Sequence, residues 1–292
     1  MPRSHIPSSA TLTLPSYAKI NLFLRILRRD RTGYHQIETV FQTVSLHDVV
    51  RFTRTRRPGI RLRGGPPAKE NIVYRAAARL APPDSGVRIE LDKRIPTGAG
   101  LGGGSSNAAV TLLAVNHLFG LGYSLAELAR VGAELGSDVP FFLAGGTALG
   151  LNHGENVFPL PDAPGSKLIL LYPGVPVYTT EAYAKLQLTK GDPGYTIHDF
   201  CYALVNHRVE ALEQFFRNDF ERTVASNSAV AEARQFLEHK GLAKAHLSGS
   251  GSTLFWLGSH SGRIRVRKDW RLWQAEFITR GQYMKSLGRC LE

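Results

Sequence analysis

The segment Pro96-Thr-Gly-Ala-Gly-Leu-Gly-Gly-Gly-Ser-Ser-Asn107 places five glycines at positions 98–104, immediately ahead of a helical pattern. So flexible a stretch is costly in backbone entropy, which implies that its main chain must approach something closely. Glycines admit positive φ and remove side chains. Successive N–H groups can then converge on phosphate oxygens while the following helix directs its positive end at the same anion. A triphosphate suits such a loop. Gly98, Gly100 and Gly103 satisfy G-x-G-x-x-G, but a dinucleotide loop needs an acidic residue about 20 positions later, at the end of the next strand. That place falls at Leu118–Ser124, a helix end. A Walker A loop needs a lysine after its last glycine, and Gly104-Ser105 offers none. A glycine-rich turn without a ligand is the remaining alternative.

The 292 residues, 43% of them hydrophobic, suffice for two domains with a sizeable core. Thirty-six Lys and Arg against 24 Asp and Glu give a net charge of +12, which predicts anionic partners of some kind. The longest charge-free apolar stretch, Val139–Leu151, has 13 residues with three glycines, short of the roughly 18–20 needed to span a bilayer. Met1–Pro15 has no continuous apolar block of the sort a secretory signal requires. No membrane partner and a cytoplasmic location are therefore expected. Cys201 and Cys290 are the only cysteines, which excludes a disulfide framework and a cysteine-based zinc site. The histidines show no H-E-x-x-H spacing, and no metal site is expected from the side chains.

Leu12–Leu14 and Ala18–Leu27 read as an opening strand interrupted near Pro15, followed by a polar turn at Arg28–Tyr34. Ile37–Leu46 and Asp48–Thr53 suggest further strands. Arg51–Arg63 carries six arginines around a Pro58-Gly59 turn and looks like a hairpin, either a solvated basic face or a phosphate-binding surface. Asn71–Leu80 and Ser105–Phe119 have helical periods, and Ser124-Leu-Ala-Glu127 is a capping box opening a helix through Leu135. Val87–Leu91, Gly145–Leu151, Leu168–Leu171 and His246–Leu257 read as strands, with helices at Arg208–Phe220 and Val230–Lys240. The polar loop Asn152–Pro164, punctuated by prolines, suits a domain boundary. Arg263–Arg267 alternates like an edge strand, and the basic stretch with Trp270 and Trp273 reads either as core anchors or as a nucleic-acid surface.

Three segments together carry a family resemblance. Pro96–Ala109 resembles the phosphate loop of the galactokinase, homoserine kinase, mevalonate kinase and phosphomevalonate kinase superfamily, which wraps ATP without a Walker lysine. Ser16-Tyr-Ala-Lys19-Ile-Asn21-Leu-Phe-Leu is similar to its first motif, and Leu247-Ser-Gly-Ser-Gly-Ser-Thr253 to its third. Gly33-Tyr34-His35, Glu38-Thr-Val-Phe-Gln and Gly136-Ser-Asp138-Val-Pro-Phe resemble more narrowly the branch that phosphorylates a cytidine diphosphate derivative of a branched polyol.

The resemblance implies an α+β chain. It would have a ribosomal S5 domain 2-like ATP-binding domain at 1–157 and a ferredoxin-like α/β substrate-side domain at 158–292. ATP and substrate would share the cleft between them. It also implies that Asp138 accepts the hydroxyl proton with Lys19 beside it, an arrangement in which the ammonium favours the ionised carboxylate. Pro96, Thr97, Gly98, Ala99, Gly100, Leu101, Gly102, Gly103, Gly104, Ser105 and Ser106 would take the phosphates, with Asn71 and Lys93 as further nucleotide contacts. Mg²⁺ would arrive as part of the ATP complex. The Ser106 hydroxyl is a conceivable ligand, but the dedicated glutamate of some relatives has no obvious counterpart. On the substrate side, Tyr34 would stack on cytosine, His35 would meet its polar edge, and Asn21, Thr179 and Tyr183 would complete the site. An N-cap reading of Asp138, a surface position for Lys19 or Lys93, and a packing role for Tyr183 are the structural alternatives. A related homoserine or mevalonate kinase would leave Gly33-Tyr34-His35 without a purpose, and an RNA-binding protein would leave Asp138 unexplained. A small-molecule partner and no nucleic acid are therefore expected.

Overall fold

A computed structural model describes residues 10–31, 33, 35–67, 70–186, 194–206, 209–224 and 227–291. The first half contributes β1 (Thr11–Arg29), β2 (His35–Thr55), β3 (Gly59–Arg63), α1 (Ile72–Leu80) and β4 (Gly86–Asp92). It continues with α2 (Gly103–Phe119), α3 (Leu125–Leu135), α4 (Phe141–Ala144), β5 (Thr147–Asn152) and β6 (Asn156–Pro159). The second half begins with β7 (Lys167–Tyr172), α5 (Thr179–Ala184), α6 (Ile197–Asn206), α7 (Val209–Leu212) and β8 (Arg217–Asn218). It ends with α8 (Phe220–Val224), α9 (Ser228–His239), β9 (His246–Leu247), β10 (Leu254–Leu257), β11 (Arg271–Glu276) and α10 (Arg280–Leu287). None of the described helices is long and apolar enough to cross a membrane.

Two sheets carry the molecule. The first runs β3-β4-β2-β1-β8, with β5 and β6 attached beside β2, and the second runs β11-β7-β10-β9. Lys-Leu-Ile-Leu-Leu-Tyr in β7 is buried almost throughout, because Leu168, Leu170 and Tyr172 enter the core shared with β1 and β2 while Ile169 and Leu171 enter the core beneath α9. A third cluster, including Val50, Phe52, Leu112 and Val115, fills the space between the first sheet and α1–α3.

The opening strand is not broken at Pro15. β1 is continuous, and Pro15 pairs with Val49 on a stretch where β8, which meets β1 only at Phe23 and Leu24, is absent from the other side. A proline is tolerated on such an open strand flank because no ladder hydrogen bond is demanded of it there. Arg51–Arg63 is not a hairpin. β4 lies between β2 and β3, pairing antiparallel with the former and parallel with the latter. The buried Val87, Ile89 and Leu91 of β4 take the central position, leaving half-exposed Ile60 and Leu62 at the edge. His246–Leu257 is two short strands around an irregular loop, and Arg217–Asn218, expected within a helix, is β8. Arg263–Arg267 is irregular rather than extended into a strand; Ile264 and Val266 pack on the core beside α9, and Trp270 is buried edge-on against Phe236.

The last helix returns to the first half. Tyr283 and Leu287 of α10 are buried in the same cluster as α2, and the Tyr283 hydroxyl donates to the carbonyl of Phe142. Thr279 and Gln282 close a capping box at its start, a signal readable in the sequence although the helix has few apolar residues.

One buried carboxylate fixes the approach to the glycine loop. Asp48, with no exposed surface, accepts hydrogen bonds from the backbone N–H groups of Arg94 at 2.6 Å and Ile95 at 2.8 Å. It also receives the Lys93 ammonium at 2.6 Å and the Asn107 amide at 2.9 Å. Thus the residues just before the loop and the first turns of α2 after it are tied to one side chain on β2.

Replacing Asp48 by Ala is expected to cost about 3 kcal/mol in urea unfolding, since it orphans two N–H groups and a partly buried ammonium at once; a change below about 1 kcal/mol would contradict this role. Tyr283→Phe, which leaves the Phe142 carbonyl without its donor, is expected to cost about 1–2 kcal/mol in the same measurement.

Candidate functional site

Side-chain alternation on β1 sends Ala18, Ile20 and Leu22 into the core between the sheets and turns Lys19 and Asn21 to the opposite side. Lys19 is only 4% exposed. A buried ammonium requires partners, and it has three. Its Nζ donates to Asn21 Oδ1 at 2.7 Å, lies 3.5 Å from Asp138 Oδ2, and sits 5.5 Å from the centroid of the Phe41 ring. Asn21 is oriented in turn by donating to Thr39 Oγ1 at 2.8 Å, whose hydroxyl donates to the Phe23 carbonyl at 2.7 Å. Asp138, on the turn between α3 and α4, is the more open member of the pair, with a side chain 27% exposed.

The glycine loop passes directly over this pair. The backbone N–H of Lys19 donates to the Leu101 carbonyl at 3.0 Å. On its other side the loop meets the 248–253 segment: Ser248 Oγ donates to the Gly100 carbonyl at 3.0 Å, and the Thr253 N–H donates to the Ala99 carbonyl at 3.2 Å. At Gly100, where φ is +76°, a Cβ would stand 2.1 Å from the Ser248 carbonyl oxygen, so no other residue fits. At Gly249, where φ is +56°, a Cβ would come within 3.2 Å of the Lys19 ammonium and 3.0 Å of the Gly100 carbonyl oxygen. The two glycine-rich segments are therefore pressed together by backbone contact above Lys19.

α2 begins immediately after this crossing. Its N-cap is Gly102 in the left-handed region, and no side chain caps it. The first-turn N–H groups and the positive end of a 17-residue helix are thereby left to the loop's concave side. The resulting cleft, about 420 Å³, is lined by the loop from Pro96 to Ser105, by Lys19, Asn21, Asn71, Lys93 and Asp138, and on the far side by Thr179, Tyr183 and Ser250.

Of the residues expected from sequence, the structure gathers Lys19, Asn21, Asp138, Asn71, Lys93, Pro96–Ser105, Thr179 and Tyr183 around this one cleft. Asn71 also N-caps α1, its Oδ1 accepting from the Val73 N–H at 3.0 Å. Lys93 is held by Asp48 while still reaching the cleft wall. Ser106 differs from the expectation. It is fully buried behind the loop, where its hydroxyl accepts from Ser16 Oγ at 2.8 Å, because the helical turn rotates it away from the side on which Ser105 lies. Tyr34 lies outside the described residues.

His35 stacks on Tyr183 with centroids 4.8 Å apart and planes 11° from parallel. Burial, helped by the Arg29 cation, lowers the His35 pKa and favours the neutral imidazole. Arg29 Nε donates to His35 Nε2 at 3.2 Å, which leaves Nδ1 to carry the proton of that neutral ring. Burial raises the Tyr183 pKa, and the Asp138 charge raises it further, so this phenol remains a neutral donor at the rim. Asp48, Asn107 and His153 were missed by sequence reasoning. Asp48 and His153 are single polar residues with no motif around them, whereas Asn107 ends the glycine-rich string without being singled out, and only the fold shows that Asn107 and His153 reach the cleft. Among the described residues, no three His, Cys, Asp or Glu side chains converge as a metal site.

This arrangement can hold a chain of phosphates against backbone N–H groups and present a carboxylate and an ammonium to a hydroxyl group at its end. Residues 71–146 match the GHMP kinases N terminal domain. The 4-diphosphocytidyl-2-C-methyl-D-erythritol kinase of Moorella thermoacetica is 42% identical over 254 residues, covering 84% of this chain and 89% of the relative. The enzyme of the same name from Herminiimonas arsenicoxydans is 36% identical over 282 residues, 91% of this chain and 94% of that one. A crystal structure of 4-(cytidine 5'-diphospho)-2C-methyl-D-erythritol kinase superposes with a TM-score of 0.75 at 32% identity, covering 91% of this chain and 99% of that chain. The L. major mevalonate kinase in complex with R-mevalonate shares the fold, with a TM-score of 0.67 at 17% identity over 99% of this chain and 95% of that chain. With the phosphate loop, the paired lysine and carboxylate, and identity sustained across both halves, the chain belongs to the 4-diphosphocytidyl-2-C-methyl-D-erythritol kinase family of the GHMP kinases.

Proposed function

We propose that the protein transfers the γ-phosphoryl group of ATP to the 2-hydroxyl of 4-diphosphocytidyl-2-C-methyl-D-erythritol, giving the 2-phosphate and ADP on the non-mevalonate route to isoprenoid precursors. The observation that carries this reading is the Lys19–Asp138 pair, 3.5 Å apart, facing the uncapped start of α2 beneath the glycine loop.

Phosphoryl transfer is chiefly a matter of positioning and charge. The loop and the first turn of α2 hold the ATP phosphates, with Asn71 and Lys93 on the nucleotide side. Asp138 receives the proton of the attacking hydroxyl as the bond to phosphorus forms. Lys19, immobilised by Asn21 and packed against Phe41, keeps that carboxylate in place and attracts the substrate oxygen. Mg²⁺ carried in with the nucleotide would supply charge neutralisation at the phosphates. The donor set suits an ion carried in by the nucleotide, because the Ser105 hydroxyl and the Asp138 and Glu70 carboxylates along the cleft are few protein oxygens and Mg²⁺ keeps several waters. His35 and Tyr183, with Tyr34 and Thr179, recognise the cytidine end, and Asn21 contacts the polyol side. The two-sheet architecture supports a nucleotide domain of the ribosomal S5 domain 2 type at 1–157 and a ferredoxin-like substrate domain at 158–292, with β8 and α10 of the second half returning to the first. An ATP-dependent step of this kind agrees with a cytoplasmic setting.

Purified protein with ATP and Mg²⁺ is expected to release ADP with the cytidine diphosphate substrate and not with mevalonate or homoserine; absence of turnover with the first substrate overturns the assignment. Asp138→Asn and Lys19→Ala are each expected to lower kcat by about 100-fold or more while the protein stays folded by circular dichroism. Near-normal kcat in either folded variant would remove that residue from its role.

A further inference from the structure

Two turns meet at the substrate end of the cleft beyond the last paired residues of the sheet. The β1–β2 ladder closes at Arg29 and His35, and the connecting turn begins at Asp30, whose carbonyl accepts from the Gly33 N–H at 3.1 Å. The β2–β5 ladder closes at Ile37 and Asn152, and the β5–β6 turn continues through His153 and Gly154. Past these points the main-chain ladders no longer align one turn with the other. A side-chain bond spans the gap: His153 Nε2 lies 2.7 Å from Asp30 Oδ2, joining residues 123 positions apart. Because an ionised carboxylate only accepts, the imidazole carries its proton at Nε2 and donates. The His153 N–H is itself fixed by the Glu155 carboxylate at 2.9 Å, and the Glu155 carboxylate also stands 4.0 Å from Nδ1.

The placement of this bond matters. His153 lines the cleft. Its neighbour Gly154 stands beside Asp138: a Cβ there would lie 3.8 Å from Asp138 Oδ1, at ordinary van der Waals distance. At the other end, the turn that starts at Asp30 leads into His35, the ring stacked on Tyr183. We propose that Asp30 and His153 form a latch that sets the distance between the base-recognition turn and the carboxylate at the reacting end, making both positioning residues for the cytidine diphosphate substrate. This rests on the function proposed above. A substrate recognised at its base and phosphorylated at its polyol must be held at both ends at once, and a shift of about 1 Å at one end is enough to misplace the other.

The test is a double-mutant cycle with steady-state kinetics for both substrates. His153→Ala and Asp30→Ala are each expected to raise KM for the cytidine diphosphate substrate about three- to tenfold, a modest factor because the pair is partly exposed to solvent. KM for ATP should change less than twofold, and the double variant should be no worse than the worse single variant. His153→Gln, whose amide can still donate to Asp30, should recover most of the loss. Unchanged KM in folded single variants, equal effects on both substrates, or additive losses in the double variant would overturn the latch. Absence of turnover by the unmodified protein would instead overturn the function on which it rests, so the two failures are separable.

Discussion

The buried ammonium of Lys19 sets the terms for most of the structure. At 4% exposure it has given up most of its water and needs a carbonyl oxygen, a carboxylate and an aromatic face to compensate. Asn21 comes from the same strand, Phe41 from the next, and Asp138 from a turn more than a hundred residues later. Each partner is delivered by a different part of the fold. β1 and β2 must pair over their long register to bring Phe41 and Thr39 into place, and α3 and α4 must dock on α2 to bring in Asp138. The charge that organises the site is thus also a reason why the first half folds as one unit.

Once the ammonium is fixed, the glycine loops have little freedom. The Leu101 carbonyl is bonded to the Lys19 N–H, Gly100 is pressed against Ser248, and Gly249 stands over the ammonium itself. Side chains are excluded at these crossings by contact with backbone. The loop is therefore less flexible than its composition suggests, since its entropic cost is met by hydrogen bonds from two directions and, through Asp48, by a clamp on the residues that precede it and on Asn107 beyond it. A phosphate-binding backbone held in this way is organised before the nucleotide arrives, which is the condition under which fixed dipoles stabilise developing charge most effectively.

How much of this could be read from the sequence depended on whether the signal was local. The helices α1, α2, α3 and α9 follow from periodicity and caps, and Lys19, Asp138 and the loop follow from motifs. The order of strands does not. Arg51–Arg63 has the composition of a hairpin, but the position beside β2 goes to β4 because its side chains are the more completely buried, a competition decided by residues more than twenty positions away. Ser105 and Ser106 both belong to the phosphate string, Ser106 being the one with a hydroxyl suited to the ion, and helical rotation alone makes Ser105 the cleft residue and Ser106 a core one. Asp48 and His153 act through partners 45 and 123 residues away, so neither is announced by its neighbours in the chain.

The charge excess can now be divided by location. At the cleft, Lys19 and Lys93 are already engaged by Asp138 and Asp48, and the attraction for phosphate falls largely to the backbone and the end of α2. The arginines of β3 serve a different geometry. β3 is the edge of the first sheet, and across its ladder Arg61 stands opposite Arg88 while Arg63 stands opposite Glu90. Like charges directly across a ladder cost stability, and a charged edge strand resists pairing with the edge of another molecule. Near the C-terminus, Arg267 lies over the Trp270 ring at 5.1 Å and bonds Glu232 at 2.6 Å, so that basic segment is anchored to α9 by an aromatic contact and an ion pair. Arg61 and Arg63 therefore lie where they protect an edge and Arg267 where it fastens a segment, and the phosphate site draws on uncapped backbone as well as on charge.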